Sequence, residues 1–215
     1  MRVRALVVGA LVLALMVFAL VRLLHEDQRY SGSNSIGPNQ GIVLLQPGQR
    51  VCQTGELVPG DTAAVELAVT TGGQPGAPLA VTLRDEDRRV LARGTAPGGY
   101  GDGVVAIPIP VQRPTRTGVE VCLARTGPGT VQFYGLPSAT GKVELDGKPV
   151  PGVLRLAFRR PGRESWLALT PAIAHRFAQA KTRVAGPWLF YVLIGVSLLA
   201  GGLALRTVVR AEEAP

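Results

Sequence analysis

The chain has 215 residues, of which 47% are hydrophobic, and it carries a formal net charge of +8 at pH 7. This length allows one large domain or a smaller domain with attachments, and the uneven distribution of the hydrophobic residues favours the second arrangement. Two cysteines and two histidines in the whole chain argue against a structural zinc site, which uses about four such ligands.

A long apolar run stands near the N-terminus. Residues 5–21 read ALVVGALVLALMVFALV, and about 20 apolar residues in a helix cross the roughly 30 Å of a bilayer core. The basic sequence MRVR before the run is also found in cleaved signal peptides, but no small-x-small cleavage site follows. We therefore predict a cytoplasmic start over residues 1–4 and an uncleaved signal-anchor helix over residues 5–24.

The next two segments differ in composition. Residues 25–41 include QRYSGSNSIGPNQG, which is rich in serine, glycine and asparagine and is typical of a linker. Residues 42–162 contain short apolar or alternating runs between turn motifs such as PGD, GGQPG and DGKP. This pattern predicts a mainly β fold, an antiparallel β-sandwich of eight or nine strands with a jelly-roll or immunoglobulin-like topology. The tryptophan that immunoglobulin domains have between their cysteines is absent from this sequence.

A helical pattern appears over residues 163–186. Thr170 and Pro171 have the chemistry of a helix start, with threonine as the N-cap and proline at the first helical position. Apolar residues then recur along one stripe with basic residues on its flanks, as in an amphipathic juxtamembrane helix lying at a membrane surface. A helix packed against the sandwich is the alternative interpretation. The basic residues that we expect to contact lipid headgroups are Arg176, Lys181 and Arg183.

A second apolar run, PWLFYVLIGVSLLAGGLAL, begins at Pro187. Its aromatic start and basic end are typical of membrane interfaces, so we predict a transmembrane helix over residues 187–206 and a cytoplasmic tail over residues 207–215. Basic residues are nearly balanced between the two sides of the helices, and the orientation therefore depends on the short basic start of the first helix. That start places both termini in the cytoplasm and the central domain on the extracytoplasmic side of the membrane.

Cys52 and Cys122 lie in different predicted strands. They could be metal ligands, part of a catalytic Cys–His pair, free core thiols or a disulfide. His25 and His175 stand beside the predicted membrane helices, far in sequence from both cysteines, which argues against a metal site and a catalytic pair. Free thiols are the remaining alternative to a Cys52–Cys122 disulfide, which fits best and indicates an oxidising compartment.

Candidate ligand contacts lie in a glycine-rich loop and in one predicted strand. The loop APGGYGDG contains Tyr100, whose ring is suited to stacking, and Asp102, which is suited to accepting hydrogen bonds. A plain hairpin connection is the alternative, because the loop does not follow a phosphate-binding pattern. Phe133 and Tyr134 are further aromatic candidates. We predict no catalytic residue, no metal site and no cofactor.

The layout resembles that of small two-pass membrane proteins of actinobacterial cell envelopes. The resemblance rests on the N-terminal anchor, CQTGELVPGDTA at residues 52–63, PAIAHRFAQAK at residues 171–181, and the final apolar run. Such proteins have a β-sandwich ectodomain and are often encountered with cell-surface glycosyltransferases. The resemblance therefore implies a link to surface glycan assembly.

From these features we expect a non-catalytic, membrane-anchored envelope protein whose sandwich binds a glycan or a membrane-enzyme partner such as a glycosyltransferase. An enzyme that hydrolyses or transfers envelope polymers and a structural membrane scaffold are the alternatives. The region between the apolar runs is mildly basic, which favours membrane lipid or acidic envelope polymers over nucleic acid as partners.

Overall fold

A computed structural model of the chain describes residues 2–138 and 141–181, and beyond them residues 188, 191–197, 199, 201, 202 and 206. The chain divides into two compact units. The sandwich unit is Gln28–Arg163, and the terminal unit combines Met1–Asp27 with Glu164–Pro215.

The described residues of the sandwich unit form thirteen strands, all in antiparallel pairs. The mainly β prediction is confirmed, but the strands outnumber the eight or nine predicted, because several are too short to show an alternating apolar run. Their bounds are β1 Tyr30–Ser33, β2 Gln40–Leu44, β3 Arg50–Val58, β4 Thr62–Thr70, β5 Leu79–Arg84, β6 Val90–Ala96, β7 Gly103–Gln112, β8 Arg116–Arg125, β9 Gln132–Leu136, β10 Val143–Leu145, β11 Lys148–Val150, β12 Val153–Leu154 and β13 Leu156–Arg159.

The strands are arranged in two sheets. A seven-stranded sheet has the order β1-β13-β4-β9-β12, with β2 also paired to β9 and β7 also paired to β4. A six-stranded sheet has the order β11-β10-β3-β8-β5-β6. Neighbours in these sheets come from distant parts of the chain, so residues far apart in sequence share a face.

The hydrophobic core lies between the two sheets. In β4, Val65 and Leu67 point inward, and in β8 of the other sheet Val121 and Leu123 do the same, each at most 1% exposed. Burying a side chain of this size stabilises the fold by about 1.5–3 kcal/mol. Because side chains alternate along a strand, Glu66 lies on the outer face of the seven-stranded sheet.

Part of the predicted linker is a strand. The sequence predicts a linker over residues 25–41, but β1 lies in this segment and pairs with β13. Polar groups hold it in place, because Asn34 donates its side-chain amide to the carbonyl of Leu154 at 2.8 Å. The Asn34 backbone N–H donates to the carbonyl of Leu156 at 3.1 Å, and Asn34 Oδ1 accepts the Leu156 N–H at 3.2 Å. A composition rich in such polar residues is usual in solvated linkers, and it hides this pairing from the sequence pattern.

The described part of the terminal unit includes helix α1 at Arg2–Leu24 and helix α2 at Trp166–Lys181. The predicted N-cap at Thr170 is wrong, because α2 begins earlier. Ser165 is its N-cap, and its Oγ accepts a backbone N–H of the first turn at 3.1 Å. Pro171 therefore lies inside the helix, where it lacks the N–H of an interior position.

Within the described residues, no helix combines the length and the hydropathy that a membrane span requires. The predicted helix over residues 187–206 is described in part, and residues 191–197 are helical. The remaining predictions about this region concern positions outside the described residues, namely Arg183, the side chains of Arg176 and Lys181, and the tail over residues 207–215.

Candidate ligand-binding site

A buried glutamate occupies the outer face of the seven-stranded sheet. The strand register places Glu66 opposite Ala157 of β13 and Ala106 of β7. Arg155 and Arg159 stand two residues to either side of Ala157, and both reach the Glu66 carboxylate. The small alanine side chains leave space for these long side chains to lie across the strands.

Tyr30, Glu66, Arg155 and Arg159 form what we call the outer-face cluster. The Tyr30 hydroxyl donates to Glu66 Oε1 at 3.0 Å, and Nη1 of Arg155 lies 3.4 Å from the same oxygen. Arg159 bonds to Oε2 through Nε and Nη2, and its guanidinium lies 5.3 Å from the centre of the Tyr30 ring. Glu66 is 0% exposed, so these partners replace the water that the carboxylate has lost.

A pocket adjoins this cluster, and we call it the outer-face pocket. Arg155 belongs to both, which joins the cluster to a cavity of about 460 Å³. The pocket combines one aromatic ring, one carboxylate and one guanidinium with small apolar side chains. Its lining residues are Pro38, Ala68, Val69, Thr70, Asp102, Gly103, Val104, Tyr134 and Arg155.

Asp102 is held at the edge of the pocket by the end of β4. Its Oδ1 accepts the backbone N–H of Thr71 at 2.5 Å and the hydroxyls of Thr70 and Thr71 at 2.9 and 3.0 Å. These hydrogen bonds hold the pKa of Asp102 below its usual range, and the bond from the Thr71 backbone has the largest effect. The side chain is therefore a fixed anion at neutral pH, and Oδ2 takes part in none of these three bonds.

The chain has no match among protein-family models, curated proteins or solved structures. The resemblance to two-pass actinobacterial envelope proteins therefore stays a prediction.

The four predicted ligand contacts separate into two pairs. Asp102 and Tyr134 line the outer-face pocket together, although they are distant in sequence. Phe133 points the other way from Tyr134 and is a core residue, 1% exposed. Tyr100 packs against Gly76, its hydroxyl donates to the carbonyl of Ala77, and burial raises its pKa to about 12. Among the described residues, Phe133 and Tyr100 thus belong to the packing of the sandwich.

None of the four residues of the outer-face cluster was predicted from sequence: Tyr30, Glu66, Arg155 and Arg159. The sequence contained two signals. Glu66 is the one charged residue in the apolar run AAVELAVTT, and Arg155 and Arg159 in RLAFR are four residues apart, so they lie on the same face of a strand. The pairing between these strands is the missing information. Tyr30 was obscured by the composition of the predicted linker.

The predicted disulfide is confirmed. Cys52 of β3 and Cys122 of β8 are direct cross-strand partners in the six-stranded sheet, with a Cα–Cα distance of 4.0 Å. The bond lies within one sheet, whereas the immunoglobulin disulfide joins two sheets. A carboxylate oxygen of Glu120 lies within 4.8 Å of both sulfurs, but the disulfide leaves neither sulfur as a thiolate ligand.

A second cavity, of about 690 Å³, lies among loops at one end of the sandwich. Its charged residue, Arg125, donates to the carbonyls of Gly127 at 2.9 Å and Leu45 at 3.2 Å, and so has a structural role. The other described lining residues are mainly glycine and proline. The outer-face pocket therefore has the richer ligand-binding chemistry of the two.

Proposed function

We propose that the sandwich unit is a non-catalytic glycan-binding module and that the outer-face pocket is its site. The observation that supports this is the shared lining, because Tyr134, Asp102 and Arg155 all line one cavity of about 460 Å³. An aromatic ring packs on the apolar face of a sugar, while charged groups bond to its polar substituents. Pockets for small ligands have volumes of about 300–1,000 Å³.

The number of carboxylates that line the pocket favours glycan binding over glycan hydrolysis. Most glycoside hydrolases place two carboxyl groups on either side of the scissile bond. Among the described residues that line the pocket, Asp102 is the single carboxylate. Glu66 is nearby, but it is fully buried beneath Arg155 and Arg159 and is not in a position to act on a sugar.

We also propose that the chain is anchored in a bacterial cell membrane by helices over residues 5–24 and 187–206, with both termini cytoplasmic and the sandwich unit extracytoplasmic. The Cys52–Cys122 disulfide supports an oxidising compartment. Helix α1 exposes large apolar side chains on different sides at 3.6 residues per turn. Examples are Leu13, Met16 and Phe18.

In this proposal the protein is an accessory factor of cell-surface glycan assembly. The resemblance to two-pass envelope proteins supports a membrane glycosyltransferase as partner. The basic residues Arg176, Lys181 and Arg183 contact anionic lipid headgroups, to which Lys and Arg near a membrane are attracted. The pocket then holds a glycan close to the enzyme that extends it.

The proposed site is tested by measuring binding of defined oligosaccharides to the full-length protein in mild detergent. We expect the wild-type protein to bind at least one envelope-type oligosaccharide. The variant Tyr134→Ala loses the stacking surface and is expected to bind about tenfold more weakly, which corresponds to about 1.4 kcal/mol. Calorimetric titration gives both affinities.

Leu136→Ala is the matched control, because Leu136 is an exposed residue of the same strand that does not line the pocket. It should bind as the wild type does. Failure of the wild-type protein to bind any oligosaccharide, or equal losses in Tyr134→Ala and Leu136→Ala, would reject the pocket as a glycan site.

A further inference from the structure

We propose that the outer-face pocket selects sugars that carry an acidic group, a carboxylate or a phosphate monoester, and that Arg155 binds this group. The proposal rests on the function proposed above, because it concerns the same pocket. It adds the class of ligand and the residue that determines specificity.

The first support is the charge of the outer-face cluster. Two arginines face a single carboxylate, so the cluster carries an excess positive charge at the wall of the pocket. Arginine offers five N–H donors in a planar fork that matches a carboxylate or a phosphate. A ligand anion at this wall compensates the excess charge.

The second support is the unequal use of the two guanidinium groups. Arg159 bonds to Glu66 Oε2 through two nitrogens and donates its third, Nη1, to Gln28 Oε1 at 2.5 Å. Arg155 instead reaches Glu66 Oε1 at 3.4 Å from Nη1 and 3.5 Å from Nη2, at the outer limit of a hydrogen bond. Arg159 is therefore fixed, whereas Arg155 is loosely held and lines the pocket.

The third support is that Glu66 stays paired when Arg155 turns to a ligand. Its Oε1 keeps the hydroxyl of Tyr30 at 3.0 Å, and its Oε2 keeps both bonds from Arg159. A buried carboxylate stripped of its partners would be strongly destabilising, but this one loses its weakest partner alone. Glu66 is thus a positioning residue that orients Arg155 without holding it tightly.

Asp102 sets the orientation of the ligand in the pocket. Because its threonine partners keep it ionised, it repels an acidic group and accepts hydrogen bonds from hydroxyl groups. The acidic substituent then lies toward Arg155, the hydroxyls lie toward Asp102, and the ring packs on Tyr134. The arrangement favours a sugar with one acidic group over a ligand that is charged throughout.

The test compares three oligosaccharides of equal length, one with a hexuronic acid, one with a phosphorylated sugar and one neutral, by calorimetric titration against the full-length protein in mild detergent. We expect at least one acidic probe to bind about tenfold more tightly than the neutral probe, and Arg155→Gln to abolish that preference while neutral binding changes less than about twofold. The acidic probe that binds more tightly identifies the carboxylate or the phosphate as the group recognised.

Two further variants separate recognition by the Arg155 guanidinium from a general effect of positive charge. Arg93→Gln removes an exposed arginine of β6 in the other sheet and should leave the preference intact. Arg155→Lys keeps the charge but not the planar fork, and it should retain part of the preference.

The possible results distinguish this inference from the proposed function. Acidic and neutral probes could bind equally, with both lost in Tyr134→Ala and neither lost in Arg155→Gln. This result overturns the acidic selectivity and still supports the glycan site. Binding of no probe by the wild-type protein overturns both. A preference that Arg93→Gln and Arg155→Gln reduce equally also overturns the assignment to Arg155, because it reflects overall charge.

Discussion

Glu56 of β3 is a second buried carboxyl, with an environment unlike that of Glu66. It is 6% exposed, and burial raises its pKa. Hydrogen bonds from Gln53, at 2.8 Å, and from Asn34, together with the charge of Lys142, only partly oppose this effect. The folded protein therefore favours the protonated form of Glu56 more than the unfolded chain does.

This raised pKa predicts a pH-dependent effect of Glu56→Gln. The contribution of the Glu56 carboxyl to stability is complete below its unfolded pKa of about 4.3 and is lost as the pH rises through the higher folded pKa. At pH 7 the unfolded carboxyl is ionised, and folding must either bury that charge or protonate the group at a cost in free energy. The neutral variant should therefore have the larger free energy of unfolding. That advantage should shrink as the pH falls toward 4, where both side chains are neutral. Urea unfolding of the two proteins across this pH range measures it.

Glu144→Gln is the control for this comparison, because Glu144 is an exposed carboxylate on the neighbouring strand β10. Its effect on stability should be small at every pH. A Glu56→Gln variant that is less stable than the wild type at pH 7 would show that the hydrogen bonds from Gln53 and Asn34 and the charge of Lys142 together outweigh the cost of burial.

At the level of single residues, the sequence predicts side-chain direction better than it predicts partners. Asp102 and Tyr134 could be named because a polar loop and an aromatic strand position suggest ligand contacts. Arg155 could not, because its role depends on Glu66, which is distant in sequence. Alternation indicates which face of the sheet a residue occupies, but only the strand register determines which residues of neighbouring strands lie side by side.

At the level of elements, long strands have a clear pattern and short ones are less distinct: β1 and β11 were missed, and β12 and β13 were predicted as one run. In β4 and β8, large apolar residues recur at every second position and face the core, so their pattern is clear. By contrast, β12 has two residues, and its Leu154 is held by the buried amide of Gln53, which accepts the Leu154 N–H at 2.6 Å and donates to its carbonyl at 3.2 Å. Such polar links between sheets leave no hydrophobic period in the sequence.

The disulfide between β3 and β8 gives a prediction about the stability of the six-stranded sheet. Replacing both Cys52 and Cys122 by alanine removes a cross-link over 70 residues, which should lower the free energy of unfolding by about 4 kcal/mol in the chain-entropy account. The fold should persist, because the core side chains between the sheets are unchanged. Urea unfolding followed by far-UV circular dichroism measures the difference.

Reduction provides the control for the cysteine replacement. A thiol reductant should shift the unfolding curve of the wild-type protein toward that of the double variant and leave the double variant unchanged. Equal stability of the oxidised wild type and the variant would contradict a stabilising role, and loss of sheet signal in the variant would contradict a fold that persists without the bond.

For the molecule as a whole, the two compact units correspond to two kinds of sequence. Short alternating runs belong to the sandwich unit, and the longest uncharged runs belong to the terminal unit. This division is visible in composition because a sandwich needs turn residues at short intervals, whereas a long helix needs none. Composition placed the start of the sandwich too late, because the polar segment that contains β1 has the character of a linker.

The proposed membrane topology predicts which introduced thiols can be labelled from outside the cell. The described native cysteines are paired in the disulfide, so an added cysteine is the reactive one. Leu57 of β3 is 54% exposed. We therefore expect Leu57→Cys to react with a membrane-impermeant maleimide in intact cells, and Glu212→Cys, in the predicted cytoplasmic tail, to react only after lysis.

Labelling of Leu57→Cys only after lysis would exclude an extracytoplasmic sandwich. Labelling of both in intact cells would instead exclude a cytoplasmic C-terminus, and with it the second of the two proposed spans.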